Sequence, residues 1–487
     1  MLLDSHHSSP CVSVIVPAYN PPLSAFEETL ASLRASTFSD FNLILVDDGS
    51  TNPAFQTRLA ALPNEWPGVT VLHHAANRGL SAARNTGVQH CDTPYFVQLD
   101  ADDQLAPTFI EKALWLLATH PQWSFCNSWL EGFGARHYRW EGSFAAGPLF
   151  RYENCVSSLA MVRRQSDRSI AGHDEAIRAG AEDWDYWLRM AAHGLWGVTV
   201  PEYLLRYRHH AVPTFWANRD DLERQAQFAR SLRQRFALLW QRPFPEAAWT
   251  RPEQLDDELP FDWPGPSAEL PPHVLVLLSD WADAKVALAC DHLGASLARE
   301  GFGVTWCATD TGARPTDATP PSAAVDSFTW GHFLRPKDRP RFLRYLVERR
   351  PVVGVVRLAS RASEELLPYL RARFPGLPCH EYPLGAAAFS RAEASAPLTG
   401  TWASIFPARA QRVSPPASQL SEILADYDRL IAAQPNLPPW WLADTPWLRR
   451  HRSWWYHLKH HVLRPARDRG WQRLTRLVGR SPNELDA

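Results

Sequence analysis

Tyr95-Phe96-Val97-Gln98-Leu99-Asp100-Ala101-Asp102-Asp103 is a short apolar run that ends in three carboxylates within four residues. The run up to Leu99 suits a buried strand of a parallel sheet. Unpaired carboxylates are costly to desolvate, so Asp100, Asp102 and Asp103 belong at the strand's carboxyl end, where α/β folds place their ligands. Asp100 and Asp102 are two apart, and their side chains can converge on one hard cation where the strand opens into a turn. Oxygen ligands of this kind suit Mg²⁺ or Mn²⁺, which usually also keep waters and substrate phosphates in their shell. The plainer alternative is a solvated acidic turn, or a cap for a helix starting near Pro107.

Working outward, the chain alternates strand and helix. Val12-Ser13-Val14-Ile15-Val16 is a β-branched strand that stops at Pro17, and Pro17-Ala18-Tyr19-Asn20 makes the loop after it. Phe26, Leu30 and Leu33 have helical spacing. Asn42 to Val46 reads as a second strand, again followed by carboxylates, Asp47 and Asp48, and by Gly49-Ser50-Thr51. Val69 to Leu72 is a third strand, and Gly79 to Val88 is an Ala-rich helix with Arg78 and Arg84 at its start and middle. The expected fold is α/β, a mostly parallel sheet covered by helices, with the functional loops at the strands' carboxyl ends.

Four blocks carry a resemblance: Val14-Ile15-Val16-Pro17-Ala18-Tyr19-Asn20, Val46-Asp47-Asp48-Gly49-Ser50-Thr51, Asn77-Arg78-Gly79-Leu80-Ser81-Ala82-Ala83-Arg84-Asn85-Thr86-Gly87, and Leu99-Asp100-Ala101-Asp102-Asp103. In this order and spacing they resemble the signatures of family 2 glycosyltransferases, which have the GT-A fold, over about residues 10–240. The resemblance implies that Pro17, Tyr19 and either Asp47 or Asp48 hold the nucleoside of a nucleotide-sugar, with a UDP-sugar first among donors. An Asp-Gly-Ser turn or cap is the structural alternative for one of the two acids. It further implies that Arg78 or Arg84 meets the diphosphate, and that Asp100 and Asp102 hold the Mn²⁺ or Mg²⁺ that bridges it.

Gly180-Ala181-Glu182-Asp183-Trp184-Asp185-Tyr186-Trp187-Leu188 resembles the acidic block that follows the metal motif in this family. By that resemblance Asp183 is the general base that takes the proton of the acceptor hydroxyl, working if acceptor binding dehydrates it and raises its pKa toward the working pH. The alternative makes Glu182 and Asp183 an acidic first turn favoured by the helix dipole. Asp185 reads as structural. Leu204 to His210 resembles the family's closing strand and loop, with His209 as a further metal ligand. Trp129, Phe133, Tyr138 and Trp140 lie in the least patterned segment, where acceptor specificity is expected, and each is able to stack on a sugar or to pack the core.

Residues 243–272 are dense in proline and read as a linker between a glycosyltransferase domain (10–242) and an accessory α/β domain (273–435). Strands at His273–Leu278, Val304–Cys307 and Val352–Val356 alternate there with helices at Ala284–Glu300, after Pro340, and at Ser363–Phe374. Residues 272–400 weakly resemble the Rossmann-type half of a GT-B glycosyltransferase, but Ser279-Asp280-Trp281-Ala282 carries no Gly-rich phosphate fingerprint. In the tail, 436–487, Trp440, Trp441, Trp447, Trp454, Trp455 and Trp471 interleave with arginines. That composition suits an anionic membrane surface, or a helix packing its Trp inward.

The whole chain of 487 residues is 45% hydrophobic with a net charge of −2, which argues against a nucleic-acid binder. No apolar run approaches the ~18 residues of a spanning helix, and Met1–Pro10 lacks the pattern of a secretory signal. Seven scattered cysteines fit reduced thiols. The expectation is therefore a cytoplasmic enzyme, peripheral on the inner membrane face, moving sugar by inversion to a glycan or lipid-linked acceptor in surface polysaccharide synthesis. A non-catalytic nucleotide-sugar-binding scaffold is the competing reading. A nucleotidyltransferase would need a Gly-rich basic loop after the first strand, and Val16 to Asn20 has none.

Overall fold

The apolar run of Val12–Ala18 is the first strand, β1, and it continues through Pro17, which pairs in parallel register with Val46. Its one polar interior residue, Ser13, is satisfied by the Thr93 hydroxyl at 2.9 Å, as a buried hydroxyl requires. The computed structural model describes residues 11–152, 154–178, 181–210, 230–245, 259–261, 270–281, 283–309, 326–382, 406 and 417–432. The tail 436–487 and most of the proline-rich stretch 243–272 lie outside them.

The N-terminal unit runs α1 (Leu23–Arg34), β2 (Phe41–Asp47), α2 (Pro53–Glu65), β3 (Thr70–His73), α3 (Leu80–His90), β4 (Tyr95–Gln98), β5 (Gln104–Leu105) and α4 (Phe109–Thr119). It continues with β6 (Trp123–Gly134), β7 (Tyr138–Trp140), β8 (Ala160–Arg163), α5 (Arg164–Ser169), α6 (Glu182–Ala192), β9 (Trp196–His209) and α7 (Ala237–Gln241). Its sheet has the order β3-β2-β1-β4-β8-β6-β9-β5, with β7 on β6. Pairing is parallel from β3 through β4 and antiparallel on both sides of β8. The order reverses between β1 and β4, so the crevice at their carboxyl ends is the switch point where open α/β sheets bind ligands. Tyr19 and Leu99-Asp100 leave the sheet there.

The second unit is a parallel sheet of β10 (His273–Leu278), β11 (Gly303–Ala308), β12 (Ser327–Thr329), β13 (Val352–Leu358) and β14 (Cys379–Glu381), in the order β12-β11-β10-β13-β14. Its helices are α8 (Ala284–Arg299), α9 (Arg339–Arg349) and α10 (Arg361–Arg373), followed by α11 (Ala417–Ala432).

The two units share a core. Helix α4 is buried on every side from Phe109 to Leu117, the signature of a helix with no solvent face. Trp115 meets Phe342 and Tyr345 of α9 edge-on, with ring centroids 5.0 and 5.4 Å apart. Glu111 and Lys112 are also buried and need partners. Arg350 provides a two-pronged pair to Glu111, both bonds 3.0 Å, and a second pair to Asp326. Lys112 bonds Glu202 at 2.6 Å, and His332 meets the other Glu202 oxygen at 3.0 Å. Burial alone would push Glu202 up, but Lys112 and His332 hold it down to about 2.

Candidate functional site

The acidic turn after β4 is built as expected at the sheet's carboxyl edge. The Asp100 and Asp102 side chains are 24% and 28% exposed. Asp103 turns inward instead. One of its oxygens accepts the Arg208 amide at 2.8 Å, while burial first and then Asp102 and Asp100 push its carboxyl well above the ordinary range. Burial also raises Asp102, with the Asp100 charge adding to it and His210 opposing it.

The histidine at this turn is His210, whose Nε2 lies 2.6 Å from Asp102 Oδ2. His209, the residue expected there, meets the Tyr138 hydroxyl at 2.9 Å. Successive side chains at a strand end point to opposite faces, so a one-residue step decides which imidazole reaches the acids. Among the described residues, no group of three or more His, Cys, Asp or Glu side chains is arranged to hold a metal ion.

Of Arg78 and Arg84, the two candidates for the diphosphate, Arg84 is the buried one. It sits on α3 with only 1% of its side chain exposed. Its guanidinium bonds both Asp100 oxygens at 2.9 and 3.1 Å, Glu182 at 3.0 Å and Ser158 at 3.0 Å. One buried cation thus ties the acidic turn to the start of α6. Arg78 is half-exposed and pairs with Glu175.

Asp183, in the first turn of α6, is partly buried. Its Oδ1 accepts the Trp184 amide at 2.8 Å and its Oδ2 accepts Asn154 Nδ2 at 2.9 Å. Burial, then the Glu182 charge, pushes its carboxyl up to about 7, against the opposing pull of Arg84, the Trp184 amide and Asn154. A carboxylate with that proton affinity is poised to accept a proton near neutral pH.

Asp47 and Asp48 are both buried and both engaged. Asp47 accepts the Ser50 amide at 2.9 Å and meets His73 at 3.1 Å. Asp48 accepts the amides of Arg78 and Gly79, both at 2.8 Å, and meets His74 at 2.6 Å. It therefore fixes the turn that leads into α3. Gly49 permits this close approach: at φ +75° a Cβ would stand 2.6 Å from the Ala76 carbonyl carbon. Asn20 pins the first loop to the same turn by accepting the Thr51 and Asn52 amides, each at 2.9 Å. Beside it Tyr19 is 52% exposed, whereas Pro17 is buried inside β1.

Arg84 thus ties Asp100 to Glu182, the neighbour of Asp183 in α6, with Asp102 beside Asp100 and with Tyr19 and Asp47–Asp48 along the same sheet edge. Asn154, Ser158 and His210 were not singled out from sequence. Strand alternation points to His210, but Asn154 and Ser158 lie in the unpatterned segment and carry no local signal.

Residues 13–175 match the model of the family described as "Glycosyl transferase family 2". Over 191 residues the chain is 29% identical to the uncharacterised protein y4gI of Sinorhizobium fredii, covering 37% of this chain and 20% of that one. Over 202 residues it is 25% identical to the O-antigen biosynthesis protein RfbC of Myxococcus xanthus, covering 40% of this chain and 16% of that one. The chain thus spans a fifth or less of these two relatives. A crystal structure of S. aureus TarS, residues 1–349, aligns with a TM-score of 0.36 and 17% identity, covering 45% of this chain and 64% of that one. With the acidic signatures standing in the order and at the sheet edge described above, the N-terminal domain of this chain, over residues 13–175, belongs to glycosyltransferase family 2.

Proposed function

We propose that this protein transfers a sugar from a nucleotide-sugar to an acceptor hydroxyl with inversion at the anomeric carbon, in the assembly of a surface polysaccharide. The observation that carries the reading is Asp183, held by Asn154 and the Trp184 amide with its proton affinity near neutrality. The acceptor oxygen forms a bond to the anomeric carbon, its proton passes to Asp183, and the bond to the diphosphate oxygen breaks, releasing the nucleoside diphosphate. Attack opposite the leaving group turns an α-linked donor into a β-linked product. Membership of the family and the likeness to an O-antigen biosynthesis protein support the polysaccharide setting.

The partly exposed carboxylates of Asp100 and Asp102 fit a hard divalent cation that keeps waters and substrate phosphates as its remaining ligands. Those two residues would hold Mn²⁺ or Mg²⁺, which when bound offsets charge on the departing diphosphate, and His210 would steady Asp102 from beside it. Arg84 keeps Asp100 oriented from below. Tyr19 offers a face for the base, and Asp47 or Asp48 would accept its N–H on exchanging a present partner.

The test is the thermal midpoint against UDP-, GDP-, dTDP- and CMP-sugars, each with and without Mn²⁺. Ligand at ~100 times its Kd stabilises the native state by ~2.7 kcal/mol. A rise with one donor that needs Mn²⁺ and is lost in Asp102→Ala supports both donor and cation site. A rise that survives Asp102→Ala removes the cation from the reading, and no rise with any donor removes the reading itself.

The accessory role of 273–435 and the membrane role of 436–487 belong to the same proposal. Among the described residues no helix is long and apolar enough to cross a membrane. Truncation before Trp440 is expected to abolish binding to anionic liposomes. Undiminished binding would remove the tail from the account.

A further inference from the structure

Arg84 faces more negative charge than it carries. From α3 its guanidinium donates to both Asp100 oxygens at 2.9 and 3.1 Å and to Glu182 at 3.0 Å. The Asp183 charge acts on it as well. The three carboxyls come from the turn after β4 and from the first turn of α6. One guanidinium cannot neutralise all three when each is ionised. Only 1% of the Arg84 side chain is exposed, so the excess charge is poorly screened by water.

The guanidinium is also shared rather than committed. Its Nε is shut from solvent without a hydrogen-bond partner among the described residues, although buried donors are normally paired. Its remaining partner, the Ser158 hydroxyl at 3.0 Å, is neutral. Asp100 and Glu182 thus divide one cation between them, and Asp183 feels the division. The charged groups that face Asp183 are Glu182 on its own helix and Arg84 on α3, and its hydrogen-bond donors are Asn154 and the Trp184 amide.

We propose that Arg84 is a positioning residue that couples the acidic turn to Asp183: positive charge placed on Asp100 releases the guanidinium toward Glu182 and Asp183, so that filling the turn and ionising Asp183 favour each other. The excess negative charge is relieved either by a proton on Asp183 or by a cation on Asp100, and each makes the other less needed. Such coupling is reciprocal. Asp183 gives up its proton more readily when a divalent cation occupies Asp100, and the ionised carboxyl tightens the binding of that cation. The base is thereby made ready by occupancy of the acidic turn. The inference deepens the transfer reading, but the coupling is read without donor or turnover, so its failure is distinct from the failure of that reading.

Two measurements on the full chain test it. The first needs no metal. Asp100→Asn removes the competing charge and keeps an oxygen for Arg84. The rise in thermal midpoint caused by Asp183→Asn is measured at about pH 8.5, where the raised carboxyl is ionised, in the wild-type and in the Asp100→Asn chain. It should fall by about half or more in the Asp100→Asn chain, and an equal rise in both overturns the proposal. The second follows free Mn²⁺ by EPR against the chain alone at about pH 6 and about pH 8. Wild type should tighten about fivefold more over that interval than Asp183→Asn does, the low end of ordinary coupling between sites. Groups at the acidic turn titrate in both chains and cancel. Arg84→Lys keeps the charge but cannot fork between Asp100 and Glu182. The difference made by Asp183→Asn should therefore vanish in the Arg84→Lys chain. The same pH response in wild type and Asp183→Asn, or a difference that survives Arg84→Lys, overturns the proposal. No Mn²⁺ binding at either pH overturns its cation half. The metal-free cycle leaves Arg84 in place and so decides the matter even if Arg84→Lys does not fold.

Discussion

Asp183→Asn is expected to lower sugar transfer by ~10²–10⁴-fold, the usual weight of a positioned general base, while the donor-induced rise in thermal midpoint persists. Asparagine keeps the shape and can still accept from the Trp184 amide, but it takes no proton. In wild type the rate should fall about tenfold per pH unit below the Asp183 pKa and level off above it, because only the ionised carboxylate acts as base. Burial and Glu182 set that pKa at about 7. Asn154 stabilises the ionised form, so Asn154→Ala should move the acid limb to higher pH. A stability effect accompanies this. A carboxyl raised in the fold penalises its ionised native form, fully above about pH 7 and less as pH falls toward the ordinary carboxylate range. Asp183→Asn should therefore melt higher than wild type at alkaline pH, with the gap closing on acidification. A variant that retains wild-type turnover would remove Asp183 from the base role.

Arg350→Met is expected to destabilise the whole chain by ~3–5 kcal/mol, the cost of leaving a buried charge unpaired. Asp326 would lose the same guanidinium, and the fully buried orphan would be Glu111. Burial alone would push its carboxyl up, but the Arg350 guanidinium outweighs that and holds it below the ordinary range. Thr37 also donates to Glu111 at 2.6 Å, from the loop after α1. Because α4 is buried between its own sheet and α9 of the second unit, the loss should appear as one lowered transition rather than as the separate melting of a C-terminal unit. Calorimetry decides this. Adding Glu111→Gln should recover part of the loss, since both charges are then gone. Two well-separated transitions, with only one moved by Arg350→Met, would show that the units unfold independently.

Helix α4 follows the acidic turn and the short strand β5, and Glu202 lies on β9, the strand that ends at His209. The second unit therefore grips one element downstream of the acidic turn and the strand that leads to His210. Lys112 and His332 close on Glu202 from opposite units.

Much of the architecture is legible in local pattern. The strands at Val12, Asn42 and Tyr95 read correctly because each is a mostly apolar run that is largely buried. Helices α8, α9 and α10 of the second unit read correctly from their 3.6-residue spacing, whereas α11 was not anticipated. The acidic signatures place themselves at strand ends, because carboxylates cannot remain inside a buried strand. Strand extents are less legible. Apolar pattern stopped the first strand at Pro17, but β1 runs through Ala18, because its pairing with β2 continues to Asp47.

Sequence alone thus determined the alternating α/β order, the carboxylate-ended strands and the family of the N-terminal domain, all of which are carried by residues close together in the chain. Only tertiary structure decided the partners. It buried Arg84 between Asp100 and Glu182, put His210 rather than His209 at Asp102, joined Asn154 to Asp183 and paired Glu111 with Arg350 across 239 residues. The reason is physical: propensity and periodicity are short-range, whereas the partner of a buried charge is set by where the packed core brings distant segments together, and no window along the chain encodes that meeting.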